Sequence, residues 1–297
     1  GRWPVEDLYY GLIERFVRRV HLSDPVAFEA ARGQSVLYLA NHQVAIESLL
    51  FSIIAAGLSQ VPTVTLAKEE HRTTWLGLLI KHCFAYPGLV DPKVITYFDR
   101  SSPESLANII AGLCAEMTGP GKSVMVHIEG TRSLSCREPV VKMSSAFIDM
   151  ALATRAPIVP VRFVGGLPSE PLDDRIEFPV GMGQQDIYFG SPIPPERLEA
   201  VPYKDRKAMV IDAINALGPG HADETPLDGD PAYAAAVLNH ARAHGVREEH
   251  AVLHRVLTQL SDPGEAVQRL LAGSIEGDSE EDRWLSELER RLYGDER

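Results

Sequence analysis

Ser35-Val36-Leu37-Tyr38-Leu39-Ala40-Asn41-His42-Gln43-Val44-Ala45-Ile46-Glu47-Ser48 decides how the chain folds. Residues 35–40 are a mainly apolar run that reads as a strand buried on both faces. Leu49 to Leu58 is a second apolar run and reads as a helix. A histidine and a carboxylate therefore stand where a strand hands over to a helix. In an open α/β sheet, ligands bind outside the carboxyl ends of the strands. His42 and Glu47 are five residues apart, whereas helical neighbours are three or four apart. Contact between them requires His42 in the turn, with Glu47 reaching back from the first helical turn. A carboxylate so placed fixes the imidazole tautomer and stabilises the imidazolium that forms when a proton is taken up. An imidazole with an ordinary pKa of about 6.5 is suited to act as a general base.

The alternation continues along the chain. Strands are expected at 61–67, 95–98, 123–128, 157–164 and 186–189, and helices at 46–57, 73–82, 103–117, 144–154 and 195–217. Ser101-Ser102-Pro103-Glu104 is a helix start, with Pro at the first position and a Ser-x-x-Glu pattern. Such alternation predicts an α/β fold, a mainly parallel sheet flanked by helices. Polar groups recur at the strand exits: Asn41-His42, Lys68, Asp99-Arg100 and Glu129 to Ser133. A parallel sheet brings such exits to one edge, where they converge.

Residues 5–21 carry Leu8, Leu12, Ile13, Phe16 and Val20 at helical spacing, with Arg15, Arg18 and Arg19 on the other side. That predicts a helix packed on the domain. The other reading is an interfacial helix making peripheral contact with a membrane. Gly218-Pro219-Gly220 and the Asp- and Pro-rich residues after it read as a linker. Helical stretches near 231–244, 248–260, 263–272 and 279–292 predict a small all-α C-terminal unit. The expected organisation is an amphipathic helix within 1–24, an α/β domain over 25–220, a linker at 221–231 and a helical unit over 232–297.

The net charge of -12 argues against nucleic acid as a partner, because phosphate binding needs a basic face. From His221 onward there are 17 acidic residues, 8 Arg and no Lys, whereas all seven lysines precede it. The acidic tail and the near-neutral body read as different units. Three scattered cysteines fit a reducing, cytoplasmic compartment without a disulfide framework. The longest uncharged apolar run, Ser48 to Leu58, is far short of the ~20 residues a spanning helix needs. The start at Gly1 suggests a segment cut from a longer protein.

Four segments resemble, in order and spacing, the motifs of the glycerolipid acyltransferase family, best known for lysophosphatidic acid acyltransferases. Asn41-His42 with Glu47 resembles the first. Val94-Ile95-Thr96-Tyr97-Phe98-Asp99-Arg100 resembles the second, and Glu129-Gly130-Thr131-Arg132-Ser133 matches the third without a change. Pro157 to Val161 resembles the fourth, and Lys142 stands where a basic residue commonly follows the third. Glu47 replaces the usual Asp, Val94 the usual Gly, and His127-Ile128 the usual Phe-Pro.

The resemblance implies a glycerol-3-phosphate acyltransferase-like fold. It also implies acyl transfer from CoA or acyl carrier protein to a hydroxyl of a phosphorylated acceptor, with lysophosphatidic acid leading. Acylation of another alcohol or amine, such as a lyso-ornithine lipid, is the rival within enzymes. A non-catalytic lipid- or carrier-binding module is the rival outside them. The resemblance suggests an acyltransferase module of a polyunsaturated fatty acid or polyketide-type synthase, with the acyl chain on a carrier protein. No metal or further cofactor is implied.

The residues themselves give matching roles. His42 acts as base and Glu47 orients it, so Glu47→Asp is expected to stay active and Glu47→Gln to fail. Arg100, Arg132 and Lys142 supply cations for a phosphate, Arg as a planar fork. Gly130 permits close backbone approach, and Glu129 binds a hydroxyl or holds an Arg. Thr131 and Ser133 complete the substrate-binding group. His127 is expected beside the site, in the core or behind the residues that touch substrate. Cys83, beside His82, reads as packing. The pairs His240/His244 and His250/His254 each share a helix face; solvated faces are expected, with a zinc site as the alternative.

Overall fold

The computed structural model describes residues 4–68, 95–99, 103–227, 230–260 and 262–294. The helix expected at 73–82, His82, Cys83, Val94, Arg100 and the helix start at Ser101 lie outside these residues.

The chain opens with α1 (Pro4–Phe16), β1 (Val17–Leu22), α2 (Pro25–Ala30), β2 (Leu37–Ala40), α3 (Ile46–Ser59), β3 (Thr63–Lys68) and β4 (Ile95–Phe98). It continues with α4 (Pro103–Thr118), β5 (Ser123–His127), α5 (Ala146–Thr154), β6 (Ile158–Gly165), β7 (Gln185–Phe189), α6 (Pro195–Glu199) and α7 (Tyr203–Asn215). The last helices are α8 (Pro231–His244), α9 (Ala251–Thr258), α10 (Glu265–Ala272) and α11 (Glu280–Tyr293).

The strands form a seven-stranded sheet in the order β1-β7-β6-β2-β5-β3-β4. Neighbouring strands run parallel except β6 and β7, which are antiparallel. β2 and β5, near the middle of the sheet, are buried at every residue, as their unbroken apolar character requires. Register decides where the polar exits fall. Ala40 pairs with His127 and with Val161, so β2, β5 and β6 reach the same level. Lys68 pairs with Phe98 at the other end of the sheet. Asn41-His42 and Ile128-Glu129 therefore leave the sheet side by side.

Three expectations change. The helix expected over 5–21 ends at Phe16, and Val17–Leu22 is an edge strand paired with β7. Cross-strand contacts explain the switch. Arg18 forks onto the two carboxylate oxygens of Asp186, each at 2.9 Å, and the His21 ring stacks on Tyr188 at 4.2 Å. Leu12 and Phe16 are buried in the core rather than facing outward. The helix expected over 195–217 is two, because Pro202 has no N–H to continue the ladder and pushes Val201 away from helical geometry.

The third concerns the stretch read as a linker. Glu224 is buried and paired with Arg162 of β6 at 2.5 Å. Its other carboxylate oxygen accepts the Gly165 N–H at 3.0 Å, and its backbone carbonyl accepts from Arg137 at 2.9 Å. The segment is latched to the sheet rather than loose. The C-terminal helices also share one apolar cluster with the α/β body. Leu12, Phe16, Ile46 and Leu49 pack with Val256, Leu270, Trp284 and Leu285. At Gly11 a Cβ would lie 2.5 Å from the Val256 side chain, so α1 and α9 meet closely. Among the described residues no helix is long and apolar enough to cross a membrane.

Candidate active site

The site is built at the exits of β2 and β5. Asn41, the first residue past β2, spends its amide on β6. Its Nδ2 donates to the Phe163 carbonyl at 2.9 Å, and its Oδ1 accepts the Phe163 N–H at 2.7 Å. This side-chain pair extends the ladder one step beyond the strand and fixes where the chain turns.

His42 then lies in the turn, and α3 begins at Ile46. His42 Nδ1 meets Glu47 Oε1 at 2.7 Å. The same oxygen accepts the Gln43 N–H at 2.7 Å, and Oε2 accepts the Val44 N–H at 3.3 Å. Both donors belong to the turn that precedes the helix. Glu47 therefore takes up turn N–H groups and orients His42 with one group. The extra methylene relative to Asp lets it reach back over the turn without loosening the contact. Gln185 of β7 adds a further donor to Oε2 at 2.9 Å. Burial pushes the Glu47 carboxyl up to about 7, against the donors that favour its ionised form. Gln43, Val44 and Gln185 all donate to its oxygens, which favours the ionised form.

His127, the last residue of β5, lies against His42. The two rings are stacked, with centroids 3.6 Å apart and planes at 11°. His127 Nδ1 is 2.6 Å from the Asn41 carbonyl, and Nε2 is 2.6 Å from Ser48 Oγ. A carbonyl only accepts, so Nδ1 carries the hydrogen and Nε2 accepts from the serine. Burial, with the neighbouring His42, pushes the His127 pKa down to about 3. His127 is thus a neutral ring.

A cavity of about 250 Å³ opens here. Its wall includes His42, Ser48, His127 and the loop from Glu129 to Arg132. Apolar lining comes from Leu49, Leu66, Phe98 and Phe147, and cations from Lys68, Arg132 and Arg175. Gly130 has φ of +63°, which favours glycine, and its N–H closes a tight turn onto the His127 carbonyl at 3.0 Å. Arg132 donates to the Ile176 carbonyl at 2.7 Å, and Arg175 donates to the Arg132 carbonyl at 2.8 Å. These bonds tie the two cationic loops together. The Ser133 N–H donates to the His42 carbonyl at 2.8 Å, which holds the loop to the turn.

Of the residues expected at the site, the structure brings His42, Glu129, Gly130, Thr131 and Arg132 to one cavity. Glu47 orients His42, and Ser133 ties the loop to the turn. Glu129 also accepts the Val141 N–H at 3.2 Å, so its carboxylate braces the following loop. Lys142 is exposed and does not line the cavity. Arg175 and Gln185 were not among the expected site residues; each comes from a distant segment with no local signal. Among the described residues, His42, Glu47 and His127 form the group whose ligand atoms lie within 4.8 Å, close enough to hold a metal ion. Loading an ion there would displace hydrogen bonds that now fix all three side chains.

The acyltransferase family pattern matches residues 19–164, a stretch that contains this site from β2 to β6. The chain is 28% identical over 149 residues to a 1-acyl-sn-glycerol-3-phosphate acyltransferase of Cocos nucifera, covering 48% of this chain and 42% of that protein. Residues 19–164 thus match an acyltransferase domain. It spans less than half the length of the coconut relative. A crystal structure of the 1-acyl-sn-glycerophosphate (LPA) acyltransferase from Thermotoga maritima aligns at a TM-score of 0.45 and 18% identity, over 72% of this chain and 79% of that one. The turns at 41–47 and 129–133, which leave the sheet side by side after β2 and β5, both lie within the matched residues.

Proposed function

We propose that the domain moves an acyl chain from a thioester, carried on a carrier protein or CoA, to the free hydroxyl of a lysophosphatidic acid-like acceptor. The observation that carries this is the 2.7 Å contact between His42 Nδ1 and Glu47, with His42 on the cavity wall. Nδ1 is engaged by the carboxylate, so the base is Nε2. His42 takes the hydroxyl proton as the oxygen attacks the thioester carbonyl. The C–S bond then breaks, and the imidazolium returns the proton to the leaving thiolate. A thioester is already activated, so direct attack needs no acyl-enzyme. Glu47 stabilises the transient imidazolium, and its burial strengthens that interaction.

The cations at the cavity support a phosphate on the acceptor. Arg132 and Arg175 present guanidinium groups, suited to phosphate oxygens, and Lys68, the last residue of β3, lines the same cavity. The apolar wall from Leu49, Leu66, Phe98 and Phe147 supports an acyl chain in the same space.

Thiol release by the purified chain tests this, with acyl-CoA and acyl-carrier donors against lysophosphatidic acid, glycerol 3-phosphate and a lyso-ornithine lipid. Thiol release that depends on lysophosphatidic acid, and that falls at least about 100-fold in His42→Ala, is expected. Turnover that survives His42→Ala, or that ignores every phosphorylated acceptor, overturns the proposal.

A further inference from the structure

The His42–Glu47 contact explains the direction of the His42 ring but not its plane. A hydrogen bond at Nδ1 fixes the direction of that nitrogen and does not by itself fix the plane of the ring. The face of His42 is covered instead by His127, stacked at 3.6 Å. His127 is itself held at both nitrogens, by the Asn41 carbonyl and by Ser48, each at 2.6 Å. Asn41 is locked in turn to both backbone groups of Phe163. His127 is 7% exposed, so no water layer loosens it. Phe163 adds a tilted ring contact to His127, at 5.8 Å between centroids.

We infer that His127 is a positioning residue: its neutral, doubly held ring is the rigid wall that sets the plane of His42 and aims Nε2 at the acceptor hydroxyl. This rests on the reading of His42 as the base. Stacking of two flat rings needs only a second π-face, whereas the hydrogen bonds keep that face from turning.

Ser48, His127 and the Asn41 carbonyl also have the connectivity of a nucleophile, a base and an orienting group. The stack decides between the two roles. If His127 took the serine proton, a second cation would lie 3.6 Å from the ring that must take up the acceptor proton. Like charges that close cannot both form at low cost. His127 also keeps its tautomer only while neutral, because a protonated Nε2 would turn the Ser48 hydroxyl away.

The test compares His42→Ala, His127→Phe and His127→Leu in the full chain, with acyl-CoA and lysophosphatidic acid. It reads kcat, KM, melting temperature and the pH profile. Phe keeps a flat face without a titratable group, whereas Leu keeps bulk without the face. His127→Phe is expected within about threefold of the wild-type kcat. His127→Leu is expected to lose at least about tenfold in kcat at equal melting temperature, with KM within about twofold, as a misaimed base requires. The acid limb of kcat/KM is expected to show the same number of protons in His127→Phe as in the wild type. The ¹⁵N shifts of His127 in the wild type, which no substitution can disturb, are expected to report neutral Nδ1–H imidazole from pH 8 to 5.

Equal kcat in the Phe and Leu variants overturns the inference. So does a charged His127 at pH 6, His127→Phe as inactive as His42→Ala, or an acyl adduct on Ser48 in intact-mass spectra. Full turnover by His42→Ala is the separate outcome that removes the base itself.

Discussion

The chain holds two groups of touching histidines, and they differ in what they touch. At the exits of β2 and β5, His42 stacks on His127 and bonds a buried carboxylate, on the wall of a cavity. Between the C-terminal helices, His240 Nε2 meets His254 Nδ1 at 2.8 Å, and His254 Nε2 meets the Tyr293 hydroxyl at 2.7 Å. His244 stacks on His240 at 4.1 Å, with Nδ1 on the His240 carbonyl at 3.0 Å. The named partners there are an imidazole, a phenol and a backbone carbonyl. The first group pairs an imidazole with a charge that favours proton uptake, beside space for a substrate. The second joins α8, α9 and α11 through imidazole and phenol groups. Proximity of histidines is therefore not the signature of a base. A carboxylate in a dry setting and an open face are.

Removing the base should have the largest effect. His42→Ala is expected to lose about 10²–10⁴-fold in kcat, the usual contribution of a general base. Circular dichroism and melting should stay near wild type, because the ring contributes little to the core. Next comes the carboxylate. Glu47→Gln keeps the shape but offers an amide nitrogen where donors already converge. A loss of about 100-fold in kcat is expected, with pH-rate profiles as the check. Glu47→Asp should retain more activity than Glu47→Gln, yet less than wild type, because Asp is one methylene short of the Gln43 and Val44 N–H groups that Glu47 now reaches. If Glu47→Gln runs at the wild-type rate, the two histidine groups do not differ in the way described.

Much of this arrangement was legible in the sequence, for physical reasons. β2 and β5 are continuous apolar runs, and only a buried strand reads that way. The i, i+5 spacing of His42 and Glu47 requires a turn followed by a helix, and the structure has both. The Glu129–Ser133 loop is marked by Gly130, whose positive φ the turn requires. What was not legible comes from long-range pairing. Val17 and Val20 fit a helical stripe, and only the partner strand β7 reveals them as an edge strand. Gln185 and Arg175 reach the site from segments that carry no motif. Glu224 sat in a stretch whose Asp and Pro content reads as solvated, while its partner Arg162 lay in a strand. His240 and His254 were assigned to separate i, i+4 pairs. Spacing says which face a side chain occupies, not which other helix meets that face.

The third effect concerns pH and separates His127 from its surroundings. Its folded pKa, about 3, lies below the ordinary 6.5. In acid the unfolded chain therefore binds a proton that the folded chain refuses, so stability falls as pH drops from about 6.5 towards 3. Burial lowers His221 to about 4, with the same sign. Glu47 works the other way, since its raised carboxyl lets the folded state hold a proton between about 4.5 and 7. His127→Phe removes the first of these and leaves His221 in place; because His127 holds the Glu47 carboxyl down, its loss raises Glu47 further, which acts in the same direction. The drop in melting temperature between pH 7.5 and 5 should therefore be smaller in His127→Phe than in wild type. At 1.36 kcal/mol per pH unit, the difference amounts to about 2 kcal/mol. An equal drop in both proteins would mean that His127 does not stay neutral in the fold.

The smallest effect should come from the other histidine group and should leave catalysis alone. His254 is buried and bonds at both nitrogens, to His240 and to Tyr293. His254→Phe fills similar space but leaves the Tyr293 hydroxyl and the His240 Nε2 without this partner. Loss of such a partner from a buried polar group costs about 1–3 kcal/mol. Part is offset here, because His240 is only half-buried and can turn to water. A net loss of about 1 kcal/mol is expected, a few degrees in melting temperature for a chain of this size. The kcat and KM should stay within about twofold of wild type, since nothing in this group lines the cavity. A variant that melts normally but turns over tenfold more slowly would show that the C-terminal helices govern the site, and the contrast between the two groups would fail on that side.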